Sequence, residues 1–337
     1  MNDSRQTEGK RKRRISPAVA LWFIAPIFGE LFSGSAPLNE YLNPITILLF
    51  GMLYGSGAIL IREFIVRFKK GWISLLLMGM AYGIYEEGLM VRSFFDPHWV
   101  DLGKLGEYGR AAGVNWVWTE HLTIYHALIS ITASIVFVEM LYPKLRKQSW
   151  AKTRGIIFHS IAFTATLLVG ALINPYDAPD YWLGACWLAI IGLVVAAWQA
   201  PTGLKESAPH KCARPRRFLW FTFMATFVYH FLLYWIQENN SPHFVVSMLL
   251  IAVYWLFMLW LIYRWSGNFK GWDDRHKLAL IIGGLSFFLV IGPLTTGAEV
   301  PILYYSNPLF LVLLWLAYRK VNKRVNIESE DSTAVIQ

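Results

Sequence analysis

The chain has 337 residues, of which 55% are hydrophobic and 16% are charged, and its formal net charge is +9. Soluble domains carry about 25% charged residues, so this composition excludes an ordinary soluble domain and is typical of a membrane protein. The basic residues are scattered over short loops instead of being gathered in one domain, which argues against a nucleic-acid partner.

The apolar residues fall into runs that are long enough, at about 20 residues each, to cross a bilayer core of about 30 Å. The sequence therefore predicts an all-α fold, a polytopic transmembrane helix bundle of about ten spans surrounded by lipid bilayer. A basic tail, residues 1–16, precedes the transmembrane domain, residues 17–320, and a polar tail, residues 321–337, follows it. The predicted spans are 17–35, 43–66, 71–91, 119–142, 155–172, 181–200, 218–236, 244–263, 278–294 and 302–318.

The distribution of lysine and arginine predicts the orientation of the bundle. Basic stretches alternate along the chain with loops that are poor in these residues, and only the loop of residues 92–118 mixes basic with acidic side chains. Cytoplasmic loops of membrane proteins carry the excess of positive charge. We therefore expect a multi-pass protein of the cell membrane with both termini in the cytoplasm.

Two adjacent carboxylates mark the outer end of the predicted third span. Glu86 and Glu87 lie about 22 Å along this helix at 1.5 Å per residue. A charged side chain costs about 2.5–3.5 kcal/mol at the bilayer centre, so ionisable residues inside a span indicate function. The loop that follows and the start of the next span add further polar groups. The candidate catalytic residues are Glu86, Glu87, His121 and His126, and the candidate binding residues are Arg92, Glu120 and Asp96.

The third and fourth spans are joined by one loop, so their outer ends are expected to be neighbours. Glu86 or Glu87 should then face His121 or His126 across a gap that is open to the outside, and Arg92 should balance one carboxylate. A carboxylate beside an imidazole can move a proton, or the two can share a divalent metal ion. No HExxH, ExxH or CxxC spacing is present, so the sequence predicts no metal ligands and identifies no cofactor.

A simpler interpretation of these polar groups stays open. The glutamate pair could end its helix at the membrane interface in contact with water, and the stripe of His126, Ser130 and Ser134 could hold two helices together. Five other polar residues within spans are each interpreted as structural or interfacial. They are Glu30, Glu63, Glu139, His159 and His230.

Small residues predict how two of the spans pack. Gly51 and Gly55 lie on one face of the second span, and Gly79 and Gly83 lie on one face of the third. Faces of small residues at this spacing let membrane helices approach closely. We therefore expect the second and third spans to share a seam, with Glu87 beside it.

The glutamate pair, followed by Arg92 and by histidines on later spans, resembles the CPBP family of CAAX-protease-like intramembrane proteases. That family's pattern is EExxxR, then FxxxH and HxxxN; here four residues separate the pair from Arg92, and no aromatic residue precedes the histidine at that spacing. The resemblance implies that Glu86 or Glu87 activates water while a histidine stabilises the oxyanion. Segments 82–88 and 93–103 are also similar to uncharacterised bacterial membrane proteins, which implies no activity.

Three functions fit the sequence. The first is a transporter or permease whose carboxylates and histidines couple transport to protons. The second is an intramembrane hydrolase or transferase that uses Glu86, Glu87, His121 and His126 as general acids and bases. The third is a structural or sensory membrane protein whose outer loop binds a partner. The sequence does not identify the small-molecule or lipid-linked substrate.

Overall fold

The computed structural model describes residues 15–100, 102–174, 176–202, 212–295 and 300–334. Most of the predicted basic tail, residues 1–14, lies outside the described residues. Apart from one short antiparallel pair, β1 (Arg110–Ala111) and β2 (Val114–Asn115), the regular structure of the described residues is helical. The helices are α1 (Pro17–Leu31), α2 (Leu38–Tyr41), α3 (Pro44–Arg67), α4 (Trp72–Ile84, extended by Tyr85–Met90), α5 (Trp116–Leu141), α6 (Thr153–Ile173), α7 (Asp180–Gln199), α8 (Pro215–Asn239), α9 (Phe244–Trp265), α10 (Asp274–Thr295) and α11 (Leu303–Ala334), with short 3₁₀ turns at Gly103–Gly106 and Pro143–Leu145.

The all-α helical bundle is confirmed, but the count of about ten spans is not. Among the described residues, seven helices are long and apolar enough to cross a membrane: α3 and the six helices from α5 to α10. The other three predicted spans fall short for different reasons. Helix α1 is shorter, α4 carries the two glutamates, and α11 opens with polar residues and continues to Ala334, through the segment predicted as a polar tail.

The helix starts follow from local sequence. The Ser16 hydroxyl accepts a hydrogen bond from the Val19 amide at 3.3 Å, and the Asn43 side chain accepts one from the Ile45 amide at 2.9 Å. A proline follows each of these two capping residues, and proline fits the first helical position because the missing amide hydrogen has no partner there. Asn115 caps α5 by the same contact, at 2.9 Å from the Trp118 amide.

Helix α4 occupies the middle of the part of the bundle that forms the site. Its Ser74 hydroxyl donates a hydrogen bond to the Ala197 carbonyl of α7 at 2.9 Å, and its Tyr85 hydroxyl donates one to the Phe163 carbonyl of α6 at 2.6 Å. Because buried polar groups need partners, these bonds fix the rotation of α4 about its own axis. That rotation decides which neighbours the two glutamates face.

The glycines pack against other helices than the sequence predicted. A Cβ atom on Gly55 would lie 2.5 Å from the Trp22 carbonyl oxygen of α1, and one on Gly79 would lie 2.8 Å from the Cα atom of Ala127 in α5. The two glycine faces therefore do not form one seam, although the second and third spans do pack together at Gly57, where a Cβ atom would lie 2.6 Å from the ring of Tyr82. Both faces do allow close approach of backbones, but α3 uses its face for α1 and α4 uses its face for α5.

A buried ion network near the C-terminal end of α3 joins this helix to α5 and to the segment after α5. The Arg62 guanidinium is 1% exposed; it donates to Glu63 at 3.0 Å and to Glu139 at 3.4 Å, and it lies 3.6 Å above the ring of Trp150. It also donates to the backbone carbonyl of Arg146 at 2.8 Å. Glu63 and Glu139, predicted as separate residues, are therefore two partners of one buried arginine.

Candidate functional site

In the part of the chain that the structure describes, four helices contain a π-helical stretch. These stretches are Ile27–Leu31 in α1, Gly51–Gly55 in α3, Tyr85–Met90 at the end of α4 and His126–Ala133 in α5. A π turn is rare and occurs most often as a single bulge, frequently at a functional site. Here each of the four stretches carries a polar residue of one and the same cluster.

The centre of the cluster is formed by Glu86, Glu87 and His126. The Nε2 atom of His126 lies 2.9 Å from Oε1 of Glu87, and its Nδ1 atom lies 3.3 Å from Oε2 of Glu86. The three side chains can each present one ligand atom, and these atoms lie within 4.8 Å of one another. Glu86 is 3% exposed, Glu87 8% and His126 3%, so all three residues are buried inside the protein.

Tyr54 connects this centre to a third carboxylate. Its hydroxyl is hydrogen-bonded both to Oε1 of Glu86 and to Oε1 of Glu30. A tyrosine hydroxyl has one hydrogen, so it can donate to only one of the two oxygens. Both contacts are hydrogen bonds when the other carboxyl carries a proton and donates it to the tyrosine oxygen. The arrangement can therefore hold a proton among Glu30, Tyr54 and Glu86.

Three hydroxyl and ring groups orient the central residues. Ser93 donates a hydrogen bond to Oε2 of Glu87, and the Trp118 ring nitrogen donates to the Ser93 oxygen at 3.1 Å. The Ser130 hydroxyl lies 3.0 Å from Nδ1 of His126, one helical turn away on the same helix. Ser93 is therefore itself held in place by a second polar contact, from Trp118.

Two buried polar atoms beside the centre make no hydrogen bond of good geometry among the described residues, although each has a polar group close by. They are Oε2 of Glu86 and the hydroxyl of Tyr82. Tyr82 is 2% exposed; its hydroxyl interacts with Glu86, and its ring lies 5.9 Å from the ring of His126. An unsatisfied buried polar group costs about 1–3 kcal/mol, so such atoms are concentrated where a ligand or a reacting group can satisfy them.

The structure brings together three of the four predicted catalytic residues and separates the fourth. Glu86, Glu87 and His126 meet as the sequence predicted, but they are buried and do not face a gap open to the outside. His121 lies five residues before His126 and faces another neighbour: its Nδ1 atom is 2.8 Å from the Tyr229 hydroxyl of α8. At about 100° per residue, five residues place the two side chains about 140° apart around the helix, so they point to different sides of it.

The three predicted binding residues lie apart from the cluster. Arg92 donates to the Tyr176 carbonyl at 2.9 Å and therefore does not balance Glu86 or Glu87. Asp96 accepts a hydrogen bond from the His98 amide at 2.8 Å and serves as a turn residue. Glu120 has a buried oxygen without a hydrogen-bond partner among the described residues.

The sequence analysis missed Tyr54 and assigned Glu30 a separate structural role. Tyr54 offers no sequence signal of its own, because an isolated tyrosine in a span is ordinary. Glu30 did offer one: it is an acidic residue within an apolar run, which is costly unless it has partners. Its partners lie in α3, and the sequence alone did not place α1 against α3.

A model of a membrane protein family matches residues 19–271. The match spans most of the chain and includes all four π-helical stretches and the whole cluster. No curated protein and no solved structure is similar to the chain. The resemblance to intramembrane proteases is not shown by these comparisons. The chain belongs to the family described as an uncharacterized membrane protein family.

Proposed function

We propose that the protein is a membrane-embedded hydrolase whose active site is the cluster of Glu86, Glu87 and His126. The observation that supports this proposal most directly is the convergence of four π-helical stretches on one buried acid–base group. Ionisable residues within a membrane are costly, and they commonly mark proton relays and reaction sites. Unlike the Arg62 network, this cluster joins two carboxylates to an imidazole without an arginine or lysine partner among the described residues, which is a composition suited to acid–base chemistry.

In the proposed reaction, Glu87 accepts a proton from a water molecule while the water oxygen attacks an electrophilic carbon or phosphorus atom of the substrate. His126 is bonded to Glu87 at 2.9 Å, so it can pass that proton on to the leaving group when the substrate bond breaks. The Tyr82 hydroxyl, which makes no hydrogen bond of good geometry among the described residues, is a donor for the negative charge that develops on the substrate oxygen. The hydroxide adds to one product and the proton to the other.

A proton-coupled permease is the second candidate function. It is favoured by the proton that Glu30, Tyr54 and Glu86 can hold among them. Transport of a solute coupled to protons requires a group inside the membrane that can take up and release a proton. Against it, the Ser134 hydroxyl donates to the Ser130 carbonyl of its own helix at 2.6 Å. The polar stripe of α5 therefore satisfies itself and does not continue from the cluster as a path.

Hydrolysis can be tested before the substrate is known. The purified protein in lipid nanodiscs is incubated with a total membrane extract in water enriched in ¹⁸O, and the products are analysed by mass spectrometry. A hydrolase incorporates one ¹⁸O atom into one product of each turnover, so we expect a labelled peptide or lipid that accumulates with time. If no labelled product forms while proteoliposomes take up protons in response to a solute, the permease is the correct function.

We further propose that both termini lie in the cytoplasm, as the charge of the loops predicts. This requires an even number of crossings, so α1, α4 and α11 would cross the membrane together with the seven long apolar helices. Single cysteines placed at Asp177 and Asn239, which are exposed, should react with an impermeant maleimide added outside intact cells. A cysteine at the exposed position Lys147 should react only after the membrane is permeabilised. Labelling of the Lys147→Cys variant from outside would contradict the orientation.

The native thiols give little background in that experiment. Cys186 is buried, and Cys212 is half-buried in the segment before α8. Burial, together with the nearby charge of Asp273, raises the pKa of the Cys212 thiol to about 11. The thiolate is the reactive form, so very little of Cys212 reacts at pH 7.

A further inference from the structure

We propose that Glu86, Glu87 and His126 bind a divalent transition-metal ion, with Zn²⁺ as the favoured ion. The inference rests on the proposed function only for the chemistry that the metal would assist; the binding itself is argued from the donor set. Two carboxylates and one imidazole are ligands of Zn²⁺ in proteins, and a site with three protein ligands keeps a position for water. Helical bundles commonly build such sites from side chains on facing helices.

The distances fit a metal ion at the centre. Ligand atoms at about 2.0–2.2 Å from a tetrahedral Zn²⁺ ion lie about 3.3–3.6 Å apart. The three candidate ligand atoms lie within 4.8 Å of one another, so side-chain shifts of about 1 Å would form the site. All three residues are buried, which supplies the dry surroundings in which a cation is bound most strongly.

The histidine is oriented as a metal ligand requires. Metal-binding histidines usually hydrogen-bond through the ring nitrogen that does not bind the metal, and this contact fixes the tautomer. In His126 the Nδ1 atom lies 3.0 Å from the Ser130 hydroxyl. If Nδ1 carries the hydrogen and donates it to Ser130, the Nε2 lone pair is directed toward Glu87. A metal ion bound by both Nε2 and Oε1 of Glu87 would then replace the 2.9 Å hydrogen bond that the other tautomer makes between these atoms.

The charges around the two carboxylates also favour a bound cation. No lysine or arginine forms an ion pair with Glu86 or Glu87 in the described ranges, so the His126 ring is the one neighbouring group there that could neutralise them. The Oε2 atom of Glu86 and the hydroxyl of Tyr82 both lie beside the centre. A metal ion would satisfy the first, and a water molecule on that ion would satisfy the second. Such a water loses a proton more readily at neutral pH. With the metal bound, Glu87 and His126 would act as its ligands, and the metal would take over the activation of water that the metal-free scheme assigns to Glu87.

Metal binding is tested on the full-length protein in detergent, after chelator treatment and dialysis. Zn²⁺ and Mn²⁺ are added in separate titrations, with Ca²⁺ as a comparison because it requires 6–8 oxygen ligands. We expect about one Zn²⁺ per chain by mass spectrometry of the metal content, weaker binding of Mn²⁺ and none of Ca²⁺. We also expect Zn²⁺ to raise the temperature of thermal unfolding, because a ligand that binds only the folded state stabilises it.

The variants separate a built site from nonspecific binding. Ser130→Ala removes only the contact that orients His126, so it should remain folded and bind Zn²⁺ about 10–100-fold more weakly. His126→Gln should abolish binding. His121→Gln is the matched control, since it removes a histidine of the same helix outside the cluster, and it should bind like the wild type. Equal binding by wild type and His126→Gln, or no binding by the wild type, would overturn the inference. Zn²⁺ binding without any ¹⁸O-labelled product would overturn the hydrolase and leave the metal site intact. A labelled product from a protein that binds no Zn²⁺ would overturn the metal site and leave the hydrolase intact.

Discussion

Glu87→Gln should reduce the incorporation of ¹⁸O from water into products by about 10²–10⁴-fold, the contribution of a positioned general base. Glutamine has nearly the same shape, so it preserves the packing against Ser93 and Trp118. It cannot accept a proton from water at neutral pH. The measurement is the rate of product labelling by wild type and variant at equal concentrations of folded protein.

The control for this effect is Glu40→Gln, which removes an exposed carboxylate outside the cluster. It should leave the labelling rate unchanged. The thermal unfolding temperature of Glu87→Gln should stay near that of the wild type, which separates loss of chemistry from loss of fold. Full activity of Glu87→Gln would exclude Glu87 as the general base and would leave Glu86 as the remaining carboxylate of the centre.

Arg62→Met should lower the free energy of unfolding by about 3–5 kcal/mol, the typical cost of removing one partner of a buried ion pair. The arginine is 1% exposed and is bonded to Glu63, Glu139 and the Arg146 carbonyl. Methionine fills a similar volume but leaves both glutamates without this cation. Unfolding is followed by circular dichroism in detergent with increasing denaturant.

Arg319→Met is the matched control, because Arg319 is exposed on α11 and its guanidinium lies 4.8 Å from the ring of Trp315. Surface substitutions change stability by about 0.5 kcal/mol or less, and this variant should do the same. Adding Glu139→Gln to Arg62→Met should recover part of the loss, since it removes one of the uncompensated carboxylates. A stability of Arg62→Met equal to that of Arg319→Met would show that the network contributes nothing.

The sequence predicted the helical class and a meeting of Glu86 or Glu87 with His121 or His126 for a physical reason. Apolar length and charge are properties of each segment by itself, and two helices joined by one loop tend to be neighbours. The number of spans was harder to predict. Helix α4 carries two glutamates, which make it less apolar than the seven long helices, yet both glutamates are buried because they have polar partners in the bundle.

The contacts that the sequence did not predict depend on helix rotation and on packing between distant segments. His121 and His126 look equivalent in the sequence, yet one faces Tyr229 and the other Glu87. Gly55 and Gly79 indicate that another helix approaches closely, but the sequence does not show which helix it is. Tyr54 was missed because its role requires α1, α3 and α4 to meet, and none of the three shows this locally.

The four π-helical stretches also bear on how such a site could arise. A turn closed by i→i+5 hydrogen bonds holds one more residue than an α-helical turn, so a π turn can absorb a single inserted residue. In a regular α-helix an insertion would turn all following side chains by about 100°. The π turn takes up that rotation locally, so the side chains of the stretch change direction while the rest of the helix keeps its contacts. An inert apolar bundle could therefore acquire a polar centre through four one-codon insertions, with no new segment and no change of topology. Deleting one residue from any of the four stretches would restore a regular α-helix there and turn its polar residue away from the cluster.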